Sequence, residues 1–256
     1  MKDVWYSPDG ENWAAATLDA PWPGRFEHTS VVHDGKMWVI GGRNSDHLWG
    51  MSDVWYSDDG RIWTSATLSA PWGPRCRHAS FVFGGSMWVI RGAGVADAWH
   101  STDGTSWTLV PGSWGSGMAP SVVAYRDAIW VFSPEAARSS SDKDFVLHHE
   151  HFSVPWGDRR GHTLLVYDDR VWMMGGLRSN APLPGYRLMN DVWCFDGVAW
   201  EQVTAYADWS VREQHTAVAF QDKIWILGGK DTDYLKNDIW YTQRETATDD
   251  SWKLYR

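Results

Sequence analysis

The stretch of this sequence richest in reactive groups is WGPRCRH, residues 72–78, in which Cys76 lies between two arginines and His78 follows closely. Cationic neighbours lower the pKa of a thiol, and the thiolate is the reactive form of cysteine. A nucleophile with a histidine base is therefore one interpretation. It depends on whether these residues occur only here, because residues that recur at fixed intervals belong to a structural repeat.

The pattern W-x-x-R-x-x-H is not unique to this stretch. It recurs as WPGRFEH (22–28), WGDRRGH (156–162) and WSVREQH (209–215), and WGSGMAP (114–120) is a degenerate copy. Each copy leads into two apolar segments of strand length joined by a tight turn. An aspartate-led segment such as DVWYS from Asp53 follows. Arg75 and His78 therefore belong to a repeat, and their nearness to a thiol does not define a catalytic triad.

Tryptophan marks the same repeat. Of the 21 tryptophans, only Trp49 lies outside four positions that recur from repeat to repeat. Each repeat spans about 40–50 residues and predicts four short strands, which is typical of a propeller blade. One such sheet cannot bury both of its faces alone, so the repeats must stack. The tryptophan rings are predicted to fill the space between neighbouring blades.

The predicted fold is all-β, a single propeller domain over residues 1–256 built from four-stranded antiparallel blades. Five full blades are expected, and a further aspartate-led hairpin, residues 3–17, has no inner strands before it. We interpret this outer half-blade as a sign of a fragment of a six-bladed ring; a five-bladed ring with an appended hairpin is the alternative. An open strand edge predicts edge-mediated homo-oligomers. The predicted blades are residues 25–68, 75–110, 118–154, 159–204 and 212–256.

Three features of the repeat resemble a known family. A glycine pair follows a β-run, as in Gly41-Gly42, six residues separate Tyr56 from Trp63, and R-x-x-H precedes the first strand. Together they resemble the kelch repeat of bacterial type, in the galactose-oxidase-like group of propellers. The resemblance covers nearly the whole chain and implies a kelch β-propeller. It implies no single activity, because one propeller fold hosts many functions.

Composition narrows the classes of partner. The net formal charge is −9, which argues against nucleic acid because phosphate binding needs a basic surface. No apolar run of about 18 residues predicts a membrane span. The beginning, MKDVWYSPDGENW, lacks the apolar core of a signal peptide, so we expect a cytoplasmic protein or an exported one whose signal was removed. Two distant cysteines predict no disulfide framework.

The repeated arginines are the first candidate ligand contacts. The loop before strand one and the loop between strands two and three lie on one face of a blade, here called the loop face. On it the arginines would ring the mouth of the propeller, where guanidinium forks match carboxylates and phosphates. The structural alternative is that arginine and histidine hydrogen-bond carbonyl groups between blades. The arginines concerned are Arg25, Arg75, Arg159 and Arg212.

The loops after the glycine pairs share the loop face and differ in length from blade to blade. Function commonly resides in such loops on a rigid frame. Arg91 replaces the first glycine of its pair, which requires either tolerated backbone geometry or a ligand contact. The further candidates for ligand binding are Arg43, Trp49, Glu135, Arg178 and Tyr186.

Metal binding is expected to be adventitious at most. His148, His149, Glu150 and His151 have the side chains of metal ligands. Consecutive residues of a strand alternate between its faces, so at most two of them would converge. They also fall at an outer turn away from the mouth. We therefore expect no catalytic metal and no cofactor.

Three functions are compatible with these residues, and whether the protein is an enzyme stays open. The first is a binding module that holds a small anionic or carbohydrate ligand, or a protein partner, on the loop face. The second rests on the resemblance of kelch-type propellers to sialate mutarotases and is a carbohydrate-active isomerase. It would use mouth arginines and Glu135 or Glu27 with a histidine for proton transfer. The third, galactose-oxidase-type copper chemistry, lacks a matching Tyr, Cys and His set.

Overall fold

The computed structural model describes residues 2–112, 114, 121–132, 137–140, 148–150, 154–179, 186–244 and 252–255. Within these ranges every regular element is a β-strand, and no helix could cross a membrane. The strands are paired antiparallel with their sequence neighbours. The all-β prediction is therefore confirmed. The chain divides into two compact units, 1–120 with 142–146, and 121–141 with 147–256.

The first unit holds a two-stranded hairpin and two four-stranded sheets. The hairpin pairs β1 (Val4–Tyr6) with β2 (Ala14–Thr17). The first sheet is β3 (Thr29–His33), β4 (Lys36–Ile40), β5 (Val54–Ser57) and β6 (Thr64–Thr67). The second sheet is β7 (Ala79–Phe83), β8 (Ser86–Ile90), β9 (Ala98–Ser101) and β10 (Thr108–Val110).

The second unit holds three sheets. The third sheet is β11 (Ser121–Tyr125), β12 (Ala128–Phe132), β13 (Ala137–Ser140) and β14 (His148–Glu150). The fourth sheet has β16 (Thr163–Tyr167), β17 (Arg170–Ser179), β18 (Tyr186–Phe195) and β19 (Trp200–Thr204), with the short β15 (Arg159–Arg160) also on β17. The fifth sheet is β20 (Thr216–Phe220), β21 (Lys223–Leu227), β22 (Ile239–Arg244) and β23 (Trp252–Tyr255). Over the described ranges, five sheets with four successive strands and a preceding hairpin match the predicted blades.

Local sequence explains both kinds of hairpin turn. Between β3 and β4, Asp34 and Gly35 have φ angles of 49° and 68°, which a two-residue hairpin turn requires. Between β5 and β6, the hydroxyl of Ser57 accepts a hydrogen bond from the N–H of Gly60 at 2.8 Å. The carboxylate of Asp59 accepts one from the N–H of Ile62 at 2.9 Å. The S-x-D-G stretches are thus self-capped turns.

The cores lie between successive sheets and are rich in tryptophan. One cluster joins Trp38 of β4 and Trp72 to Met87 and Val89 of β8, so it spans the first and second sheets. Equivalent clusters span the third and fourth sheets and the fourth and fifth. Trp38 Nε1 donates to the carbonyl of His33 at 3.0 Å, and Trp225 Nε1 makes the equivalent bond to Phe220 at 2.9 Å. Tryptophan therefore fills the space between sheets, as predicted.

Candidate functional site

Each repeated arginine is paired with the aspartate of the repeated Asp-led segment in the same sheet; Asp53, Asp97 and Asp238 directly precede a strand, and Asp191 lies within β18. Arg25 donates to Asp53 at 2.9 and 2.6 Å, and Arg212 donates to Asp238 at 2.8 and 2.7 Å. The same pairing joins Arg75 with Asp97 and Arg159 with Asp191. Each guanidinium also donates to a backbone carbonyl, which is that of Gly41, Arg91, Gly175 or Gly228. The aspartate in turn accepts from a tryptophan N–H two residues later, as Asp53 does from Trp55 at 2.7 Å.

Burial and charge matching favour the structural interpretation of these four arginines. Their exposed fractions are 6% for Arg25 and Arg159 and 0% for Arg75 and Arg212. A guanidinium that already donates two hydrogen bonds to an aspartate has no free pair of N–H donors with which to bind a second carboxylate or phosphate in the same way. Any anion-binding role on the loop face is therefore better carried by other arginines.

Arg91 occupies a glycine position because its backbone tolerates the required conformation. Its φ is 61°, close to the 55° of Gly41 and Gly175 and the 61° of Gly228 at the equivalent positions. Its N–H donates to the carbonyl of Asp97 at 2.9 Å, which is the bond that Gly41 makes to Asp53. The left-handed region costs a non-glycine residue about 1–2 kcal/mol, which one such position can absorb. A ligand contact is not needed to explain this arginine.

The repeated histidines are neutral; His78 and His215 are buried, His162 is half-buried, and His28 keeps an exposed surface. Burial, with the charge of the neighbouring arginine, lowers the pKa of His28 to about 4 and those of His78, His162 and His215 to about 3. His78 Nε2 lies 2.7 Å from Thr29 Oγ1 of the preceding sheet, and His162 Nε2 lies 2.8 Å from Ser121 Oγ. These rings therefore join neighbouring sheets. Their pKa values are far from the range suited to proton transfer at neutral pH.

The residue just before each histidine has a positive φ angle and, in two cases, donates a backbone hydrogen bond to its equivalent in the preceding sheet. Glu27, Arg77, Gly161 and Gln214 have φ angles of 56°, 55°, 62° and 57°. The N–H of Arg77 donates to the carbonyl of Glu27 at 3.1 Å, and that of Gln214 donates to the carbonyl of Gly161 at 2.7 Å. Equivalent residues of neighbouring sheets are thus joined through their backbones. The side chain at this position differs from sheet to sheet while the backbone stays the same. The position can therefore present a different chemical group in each sheet.

In the first unit this position builds a charged cluster, which we call the arginine cluster: Phe26, Glu27, Arg43 and Arg77. Arg43 Nε lies 2.6 Å from Glu27 Oε2, and Arg77 Nη2 lies 2.7 Å from Glu27 Oε1. The Arg43 guanidinium also lies 5.0 Å from the centre of the Phe26 ring. The side chains of Arg43 and Arg77 are 26% and 28% exposed, so both are partly accessible to solvent.

Two cations share one carboxylate in the arginine cluster. Burial raises the pKa of Glu27, but hydrogen bonds and charge from Arg77 and Arg43 outweigh it, so the pKa lies below its ordinary value. Glu27 is therefore ionised at neutral pH, and the three charged side chains sum to one positive charge. Partly exposed guanidinium groups on a rigid frame suit recognition of an anion.

The second unit has an ion pair one residue earlier, where Glu213 occupies the position of Phe26. Glu213 lies 3.3 Å from Lys230 Nζ, and these two residues form an isolated antiparallel bridge like that of Phe26 and Arg43. This pair has one cation for one anion. Of the other predicted residues, Arg178 is exposed and its strand position lies opposite Arg187. The two units thus present different charge on their loop faces.

Trp49 lies in a loop with its own internal support. Asn44 Oδ1 accepts hydrogen bonds from the N–H groups of Asp46 and His47 at 3.0 and 2.8 Å. This turn leaves Leu48 61% and Trp49 88% exposed. Around Asp231 in the second unit a similar turn exposes Tyr234 and Leu235 by 72% and 86%. Exposed apolar side chains of this size mark contact surfaces when they are held in place.

Some predicted residues cannot be placed on the loop face. Glu135 and His151 lie outside the described residues, and Tyr186 is placed only as the first residue of β18. His148, His149 and Glu150 form β14, which pairs with β13. Among the residues that the structure describes, no group of three His, Cys, Asp or Glu side chains could hold a metal ion.

Cys76 is a buried thiol whose surroundings disfavour the thiolate. It is 2% exposed, and burial together with the charge of Glu27 raises its pKa. The burial of Cys76 therefore argues against the nucleophile interpretation of residues 72–78. Sequence reasoning named Arg43, Glu27 as a possible proton-transfer group and Arg77 as an extra basic residue of its repeat, but it did not join them with Phe26 in one cluster. The signal was available, because Phe26, Glu27 and Arg77 are at positions of W-x-x-R-x-x-H that vary between repeats.

The sheets and their successive pairing define the class of protein: an all-β propeller of four-stranded antiparallel blades. A solved structure of YjhT is similar to it over 96% of this chain and 88% of that chain, with a TM-score of 0.78 and 16% sequence identity. At that identity the likeness shows the fold alone. No protein-family model matches the sequence, and no curated protein matches it.

Proposed function

We propose that this propeller is a binding module that holds a small anionic ligand, such as an acidic carbohydrate, against the arginine cluster. The observation that carries the proposal is the ratio of charges there, with Arg43 and Arg77 sharing the single carboxylate of Glu27. A ligand carboxylate would supply the second anion. The exposed ring of Phe26, which is 49% accessible, offers an apolar face for the C–H groups of a sugar ring.

The remaining loop-face residues fit a supporting role. Trp49 is the most exposed tryptophan of the first unit and follows Arg43 by six residues in the same loop. Aromatic and arginine side chains are the types that dominate binding energy at recognition surfaces. A protein partner could use the same surface, with Leu48 and Trp49 as its apolar anchors. In that case binding would depend on Trp49 more than on Arg77.

The experiment is calorimetric titration with a panel of sugar acids and their neutral counterparts. The wild type should bind an acidic member, and Arg77→Gln should weaken that binding by about tenfold to a hundredfold, as expected for a lost charge-assisted hydrogen bond. Arg61→Gln removes an exposed arginine at a turn between β5 and β6 and is the matched control. Absence of any acidic ligand, or equal affinity in both variants, would contradict the proposal.

The alternative function is a carbohydrate-active isomerase of the sialate-mutarotase-like kind at the same place. It needs one group that donates a proton and one that accepts it. The lowered pKa values of Glu27 and His28 leave an ionised carboxylate and a neutral imidazole at neutral pH, so neither is set to donate. Binding is therefore the better-supported proposal. Measuring the exchange of sugar anomers by NMR, with and without protein, separates the two functions.

A further inference from the structure

A small cavity lies between the first and second sheets, at the end of the strands away from the arginine cluster. It is formed where the chain turns from β3 to β4 and from β9 to β10, whereas the arginine cluster lies beside the start of β3 and the end of β4. Its volume is about 310 Å³, at the small end of the range for ligand pockets. We call it the turn cavity, and the polar side chains that line it belong to Asp34, Lys36, Tyr56, Thr102, Asp103 and Thr105.

One side of the turn cavity is aromatic. The Tyr56 ring lies 5.2 Å from the buried ring of Trp38, and Lys36 Nζ lies 5.6 Å from the centre of the Tyr56 ring. In the fifth sheet the equivalent lysine, Lys223, lies only 4.0 Å from the centre of the Tyr241 ring. The ring of Tyr56 is therefore less covered by its lysine, and both side chains are half-buried rather than enclosed.

The opposite wall is the turn after β9, which hydrogen bonds hold in place. His33 Nε2 of the first sheet lies 3.0 Å from the carbonyl oxygen of Thr102. The carboxylate of Asp103 accepts hydrogen bonds from the N–H groups of Thr105 and Ser106, both at 2.8 Å. The wall is thus fixed before any ligand arrives, which lowers the entropy cost of binding.

Two carboxylates and one ammonium line the turn cavity. Asp34 is exposed, and within the described part of the chain no hydrogen bond or ion pair engages its side chain. The ammonium of Lys36 likewise forms no ion pair with a described residue. With Asp103 the three groups sum to one negative charge, which disfavours an anionic ligand. The turn cavity and the arginine cluster therefore differ in the sign of their charge.

We propose that the turn cavity binds a neutral saccharide unit. The hydroxyl groups of the sugar would donate to Asp34 and Asp103, the ammonium of Lys36 would donate to a sugar oxygen, and the C–H groups of the sugar would pack on the ring of Tyr56. A polyol suits this mixture because each hydroxyl group both donates and accepts. An aromatic surface with a few placed polar groups is the usual composition of a small-molecule pocket.

The proposal goes beyond binding at the arginine cluster, because it concerns a ligand of different charge at the other end of the same sheets. The experiment is calorimetric titration with neutral mono- and disaccharides and with the matching sugar acids. The wild type should bind a neutral member of the panel. Asp34→Asn should weaken that binding by about tenfold or more, as expected for a lost charge-assisted hydrogen bond. Lys36→Met, which keeps the apolar stem and removes the ammonium, should also weaken it.

Asparagine tolerates the left-handed backbone of position 34, where φ is 49°, so the turn should keep its conformation in Asp34→Asn. Asp58→Asn is the matched control, since it removes an exposed carboxylate in the turn after β5 that does not line the cavity. It should leave the affinity for the neutral sugar unchanged.

A competition experiment separates this site from the arginine cluster. The neutral sugar should bind equally well when a sugar acid saturates the arginine cluster, and Asp34→Asn should not change the affinity for that acid. The neutral titration stands by itself if no sugar acid binds. Failure of every neutral saccharide to bind, equal affinity in the wild type and Asp34→Asn, or displacement of the neutral sugar by the acid would each overturn the proposal.

Discussion

At the scale of single residues, the repeated arginine acts as an internal clamp. Arg212 donates to both oxygens of Asp238 and, at 2.8 Å, to the carbonyl of Gly228. It thus joins the loop before the first strand to the loop after the second and to the start of the third. The hydrogen bonds of Arg212, opposed by burial, lower the pKa of Asp238 to about 2. Asp238 thus stays ionised because the guanidinium of Arg212 lies beside it.

Replacing Arg212 with alanine should therefore cost about 3–5 kcal/mol of unfolding free energy, because Asp238 is left partly buried without its cation. The matched control is Arg126→Ala, whose pair with Asp169 is exposed and should contribute less than about 1 kcal/mol. Urea denaturation followed by tryptophan fluorescence measures both. Equal losses in the two variants would show that the Arg212 clamp adds no stability beyond that of a surface pair.

At the scale of elements, the turn between strands three and four of one sheet packs on a tryptophan of the preceding sheet. Gly104, in the turn after β9, has φ of 73°, and a Cβ added there would lie 2.2 Å from the ring of Trp38 in β4. The glycine is thus required both by the backbone and by the neighbouring ring. A larger residue at position 104 would push this turn away from Trp38, so the close packing of the two sheets here requires glycine.

Gly104→Ala should destabilise the protein more than a glycine change that affects the backbone alone. The comparison is Gly84→Ala in the turn between β7 and β8, where φ is 57° and nothing lies within 4 Å of the added Cβ. The strained backbone should cost about 1–2 kcal/mol in each variant. The clash should add about 1–3 kcal/mol at Gly104 only. Equal losses of thermal stability in Gly104→Ala and Gly84→Ala would show that the contact of Gly104 with Trp38 does not require glycine.

At the scale of the whole molecule, each compact unit contains one buried free cysteine. Cys76 is 2% exposed in the first unit and Cys194 is 3% exposed in the second. Burial raises the pKa of both thiols. Each cysteine is therefore a reporter on the opening of its own unit.

Both thiols should resist a thiol reagent at pH 8 in the native protein, reacting at least about a hundredfold more slowly than in urea, because labelling requires opening of the surrounding structure. The single-cysteine variants Cys76→Ser and Cys194→Ser assign the signal to one unit each. Rapid labelling of Cys76 in the folded protein is the result that would restore the nucleophile interpretation of residues 72–78.

Sequence predicted the strands of the fold better than the side-chain contacts of the candidate site. The repeat period, the turn residues and the tryptophan positions are local patterns, so they predicted the number and order of strands. Arg25 and Asp53 were each recognised as repeated residues, but not as partners, since 28 positions separate them. The loop-face role of Arg43 was predicted, whereas its sharing of Glu27 with Arg77 was not.

Sequence alone thus determined the all-β class, the four-stranded sheets and the extra hairpin, because alternation and turn chemistry act within a few residues. Tertiary structure decided which charged side chains form buried ion pairs within a blade and which remain exposed at the surface. It turned the four repeated arginines inward to aspartates and left the side chains of Arg43 and Arg77 partly exposed beside Glu27. The physical reason is that burial and pairing depend on neighbours brought together by stacking sheets.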